Sequence, residues 1–106
     1  MKCSLIKKAL KSTFEKQLSD ITRRYEKYGH DWRSTIRCNE RKRILTFDNV
    51  LIVDDLNAPL EDQDLEYLQA VGQLISDVNL VLEETGSDVR LYEQLTKAQV
   101  GATTYA

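Results

Sequence analysis

The chain has 106 residues and a net charge of −2, but its first 47 residues carry 13 Lys and Arg against 5 Asp and Glu, while residues 48–106 carry 2 against 12. A chain of that length folds as one domain with an apolar core, without needing disulfides or a metal. No apolar run approaches the roughly 20 residues that span a bilayer, no signal-peptide core precedes Lys7-Lys8, and Cys3 and Cys38 lack CxxC spacing and read as free thiols. The location expected from this is cytoplasmic.

From Cys3 to Tyr28 the residues Ile6, Leu10, Phe14, Leu18, Ile21, Tyr25 and Tyr28 step by three or four, which predicts one long amphipathic helix ended by Gly29. Its other face is cationic, with Lys7, Lys8, Lys11, Lys16, Arg23, Arg24 and Lys27. After the loop Gly29-His30-Asp31-Trp32 the pattern turns to alternation. It predicts three strands in an antiparallel meander: Ser34 to Cys38, Arg43 to Phe47, and Val50 to Asp54, with Asp48-Asn49 as a two-residue turn. In that register Leu45, Phe47, Val50 and Ile52 share one face and Ile44, Thr46, Leu51 and Val53 the other. A sheet apolar on both faces needs cover on both.

The residues from Glu61 to Glu84 predict a long central helix, since Leu65, Leu68, Val71, Gly72, Ile75, Val78 and Leu82 form a stripe that Tyr67, Leu74 and Val81 widen. Asn57 is the expected cap, acidic residues suit its first turn, and Gly86 stops it. Leu80 lies in the polar strip. A shorter C-terminal helix, Asp88 to Val100, is expected from Leu91, Tyr92, Leu95 and Ala98. The fold class expected is thus α+β, a single domain over residues 1–100 with a flexible tail at 101–106.

Chemistry-bearing motifs are sparse. The run Val50-Leu51-Ile52-Val53-Asp54-Asp55 resembles the first strand of a response-regulator receiver domain, which implies a magnesium-binding acidic pair. Only 51 residues follow, with no later strand ending in a phosphoacceptor aspartate, so an Asp pair before a helix N-terminus is the plainer reading. His30 has no nucleophile beside it in the sequence, Cys38 alternates with the inward Ile36, and neither joins Cys3 at a metal-ligand spacing. The four glycines are scattered, which gives no phosphate loop. Neither an enzyme nor a cofactor is expected.

The chain's most distinctive cluster is basic: Trp32, Arg33, Arg37, Arg41, Lys42 and Arg43 around the first hairpin. It predicts a partner-binding surface, and the first reading is a regulatory or inhibitory protein that docks on another protein as a homo-oligomer, with Leu51, Val53 and Leu80 in self-association. The alternative is a sequence-tolerant DNA- or RNA-binding dimer using the basic half. In its order of helix, three strands and helix, and in Leu60-Glu61-Asp62 opening the second long helix, the chain is similar to the YbaB-type nucleoid-associated proteins. That resemblance implies a DNA-binding dimer.

Overall fold

The structure is a computed structural model that describes residues 2–25, 28 and 35–99. Among these the chain runs α1 (Cys3–Thr13), α2 (Glu15–Arg24), β1 (Ile36–Asn39), β2 (Ile44–Val53), α3 (Asp62–Glu84) and β3 (Arg90–Gln99). The fold is α+β, with, among the described residues, three helices on a three-stranded sheet of order β1-β2-β3. The sheet is mixed rather than an antiparallel meander: β1 pairs antiparallel with β2, and β2 pairs parallel with β3. The expected order of one helix, three strands and two helices gives way, among the described residues, to two helices, a hairpin, a helix and a strand. None of the described helices is long and apolar enough to cross a membrane, and the tail at 101–106 falls outside the described residues.

Two corrections share a cause. Asp48-Asn49 is no turn: the period-two pattern runs unbroken through it, so that Leu45, Phe47, Asn49, Leu51 and Val53 are all buried while the residues between them are half-buried. Residues 88–99 of the expected C-terminal helix hold no helix; Arg90 to Gln99 instead pair residue by residue with Ile44 to Val53. Leu91, Tyr92, Leu95 and Ala98 have helical spacing, but a local pattern worth tenths of a kcal/mol per residue yields to a full ladder of backbone hydrogen bonds.

The expected single N-terminal helix is two. It breaks at Phe14, whose dihedrals (φ −104°, ψ 13°) leave the helical range, next to Thr13, whose hydroxyl donates back to the Ala9 carbonyl at 2.9 Å. The break lets each half follow its own partner. Ile6 and Leu10 of α1 pack on β1 and β2, and α2 lies along α3 through Leu18 and Ile21. The N-terminus of α1 has no cap of its own and borrows one. The Glu40 carboxylate, in the β1–β2 turn, accepts the N–H of Cys3 at 2.8 Å and of Ser4 at 2.9 Å. Those two bonds hold its carboxyl below the usual carboxylate range.

In α3 the buried line is Asp64, Tyr67, Val71, Leu74, Val78 and Leu82. Leu68 and Ile75, expected at its centre, are half-buried on one flank, and Leu65 is exposed. Glu61, not Asn57, opens the helix: its N–H reaches Asp64 Oδ2 at 3.1 Å within a capping box. Gly86, with φ 76°, ends it as expected, with Ser87 N–H returning to the Leu82 carbonyl at 2.9 Å and Gly86 N–H to that of Glu83 at 3.0 Å, a Schellman pair.

Leu74→Ala should cost about 2–5 kcal/mol, and Leu80→Ala no more than about 0.5 kcal/mol, in urea melts. Because the carboxyl of Glu40 is depressed in the folded chain, its contribution is present above the unfolded carboxylate range and lost as pH falls through the folded value. Melts from pH 7 down to 3 should therefore show a smaller acid-induced loss of stability for Glu40→Gln than for the parent, starting from a lower value at pH 7.

Candidate functional site

The core holds a chain of polar groups that the sequence did not announce. Asn49, fully buried at the middle of β2, accepts the Tyr67 hydroxyl on Oδ1 at 2.6 Å and donates from Nδ2 to Glu93 Oε2 on β3 at 2.7 Å. Tyr28 stacks on Tyr67 with centroids 4.1 Å apart, Tyr25 meets the same ring edge-on at 5.5 Å, and the Tyr28 hydroxyl donates to Asp64, itself 3 % exposed. Burial, aided by Asp64 for Tyr28 and by Glu93 for Tyr67, pushes both phenols up, so both stay protonated donors. What this arrangement does chemically is satisfy buried polar atoms; it holds α2, α3, β2 and β3 in one register.

The basic cluster is only partly available as a surface. Arg37 bonds Asp48 at 2.9 Å and Gln94 at 3.3 Å across the sheet, and Arg43 bonds Asp88 at 3.0 Å while lying 3.9 Å from Glu40. These partners raise both guanidinium groups. Arg43 also sits at φ 56°, the left-handed region, which closes the turn after Lys42 N–H bonds Asn39 Oδ1 at 3.0 Å. Arg41 and Lys42 stand exposed at the hairpin tip. Trp32, Arg33 and His30 lie outside the described residues.

The self-association residues separate. Leu51 and Val53 face the helices, at 0 % and 8 % exposure, because the missing turn keeps them in phase with Leu45; only Leu80, at 54 %, is on the surface. The sheet's other face carries Ile44, Val50, Ile52 and Tyr92 around the Arg37–Asp48 pair, and among the described residues no helix packs on it. Cys3 is buried, its thiol pushed up by burial and by the neighbouring Cys38, and donates to the Ile44 carbonyl at 3.4 Å. Between α1 and the end of α3 runs a groove of about 450 Å³, lined by Ile6, Ala9, Thr13, Val81, Thr85 and the Arg43–Asp88 pair. Two of its hydroxyls donate to helix carbonyls, Thr13 to Ala9 and Thr85 to Val81, and Ser87 Oγ accepts the Val89 N–H at 3.1 Å. Among the described residues no three His, Cys, Asp or Glu side chains gather as a metal site.

No protein family, curated protein or solved structure matches this chain. The polar core is hidden in the sequence because Asp48-Asn49 imitates a hairpin turn. The signal that would have found it was the alternation Leu45, Phe47, Leu51, Val53, which stays in phase only if residue 49 points inward.

Asn49→Leu removes the buried acceptor of the Tyr67 hydroxyl and should cost about 1–3 kcal/mol, whereas the pair Asn49→Leu with Tyr67→Phe should recover part of that loss. Urea midpoints of the two single variants and the double variant measure it.

Proposed function

We propose that this chain is a small non-catalytic regulatory protein that works by docking on another protein, and that the end of the β1–β2 hairpin is its contact. The observation that carries the reading is how the cations are distributed in the fold. Arg37 and Arg43 are committed to Asp48 and Asp88, while Arg41 and Lys42 project from the tip beside a half-buried apolar row that starts at Ile44. Two free cations at the rim of an apolar surface suit an acidic patch on a protein, where rim charge sets the rate and orientation of encounter. A phosphate backbone asks for more: sites that bind it neutralise several phosphates at once. The acidic residues at the C-terminal end of α3, Glu83 and Glu84, lie toward the hairpin end of the sheet, where Ile44 pairs with Arg90, and weigh further against a polyanion there.

The test is a comparison of the parent with Arg41→Glu/Lys42→Glu. Affinity capture from the native host, treated with nuclease and read by mass spectrometry, should yield a protein that the double variant loses, with circular dichroism unchanged. In parallel, titration with random duplex and single-stranded DNA at low and moderate salt should show weak binding. Tight DNA binding that collapses as salt rises would overturn the reading in favour of a nucleic-acid-binding protein.

A further inference from the structure

We infer that the outer edge of β3 is a self-association surface, where a second copy of this chain adds antiparallel in a register centred on Leu95. The edge is long and open. β3 spans Arg90 to Gln99 and among the described residues pairs on one side only, with β2, and Tyr92 and Leu95 are exposed at 54 % and 44 %. Such a row of free N–H and C=O groups is a template for another strand. In a parallel ladder the N–H and C=O of alternate residues point the same way. Leu91 marks which ones face outward: its N–H bonds Asn79 Oδ1 at 2.7 Å and its carbonyl takes Asn79 Nδ2 at 2.9 Å. The Asn79 amide thus plugs the edge at Leu91, and Glu93, Leu95 and Lys97 present the next outward groups.

The side chains choose the partner. A two-fold axis normal to the sheet keeps each face on its own side and must pass through a residue. Centred on Leu95, it sets Leu95 against its own copy and Glu93 against the partner's Lys97, twice. Centres at Glu93 or Lys97 oppose like charges, and those at Gln94 or Thr96 oppose a charge to leucine. Within one chain Glu93 and Lys97 are four strand residues apart, about 13 Å, too far to pair with each other. Glu93 keeps Oε1 for a lysine while Oε2 serves Asn49.

The helix above fits the same axis. Leu65, Leu68, Gly72 and Ile75 share the flank of α3 that carries Asn79 toward β3, whereas Ala70, Asp77 and Val81 lie on the flank turned to α1 and α2. Moving about 13 Å along β3 from Leu91 to Leu95 corresponds to about nine residues back along α3 from Asn79, which falls between Leu68 and Gly72. A Cβ at Gly72 meets nothing within 4 Å in the single chain, so this gap is where the partner's helix comes close.

Sedimentation equilibrium across the micromolar range tests this with charge reversals. The parent should dimerise. Lys97→Glu and Glu93→Lys should each weaken the dimer about tenfold or more, because both opposed pairs become like-charged. Mixing these two variants makes both cross-pairs attractive again, and the mixture should regain the parent's affinity as a heterodimer. Gly72→Gln, which has room in one chain, should weaken the dimer without lowering the thermal midpoint of the dilute protein. A monomeric parent, or a dimer indifferent to these changes, or a mixture no stronger than its components, would overturn the inference. The hairpin variant Arg41→Glu/Lys42→Glu should leave the dimer intact, which keeps this outcome separate from the docking proposal.

Discussion

A parallel pair of strands obliges the chain to travel back the full length of the first before starting the second. That constraint organises the rest of the molecule. β2 and β3 match over ten residues, close to 33 Å of strand, and α3 with its 23 residues spans about 35 Å, so one helix makes the return journey. Once α3 is fixed over the ladder, its buried line from Tyr67 to Leu82 covers β2 and the start of β3. α1 and α2 are left to close the core beside it. The break at Phe14 follows, since a straight helix could not lie on β1 and along α3 at once.

Two polar devices hold this layout in register. Glu40 joins the hairpin turn to the first turn of α1 across 37 residues of sequence, and Asn49 joins the centre of β2 to α3 and β3. Each is a group whose loss leaves donors or acceptors without partners, so the penalty exceeds the value of the bond itself. Both lie at places where apolar packing alone would tolerate slippage: a helix end on a short hairpin, and a long ladder whose buried face repeats every two residues.

What the sequence made legible was whatever is decided locally. The 3.6-residue pattern from Leu65 to Leu82 located α3 to within a residue, and Gly86 marked its end because only a residue free of Cβ strain adopts φ 76° cheaply. The hairpin at Asn39 to Ile44 was visible for the same reason. What stayed hidden depended on distant partners. Leu91 and Leu95 read as helix until Ile44 to Val53 are placed beside them, and the cations of the hairpin read as free until Asp48 and Asp88 are. The rotation of α3 differs by one flank from its apolar pattern for a like reason: Leu68 and Ile75 are apolar, yet the residues turned inward are Tyr67, Val71 and Leu74.

Each residue of β2 meets a partner 46 positions later in the chain, and this separation has a kinetic meaning. Contacts so distant close large loops and form late, whereas the β1–β2 hairpin and α3 are local and quick. During synthesis β2 therefore waits, apolar and with one edge bare, until the ribosome has delivered the whole of α3 and then β3. The interval is several seconds at ordinary elongation rates of about 5–20 residues per second. In that window the nascent chain has an exposed strand rich in valine, leucine and isoleucine, a natural client for a holding chaperone.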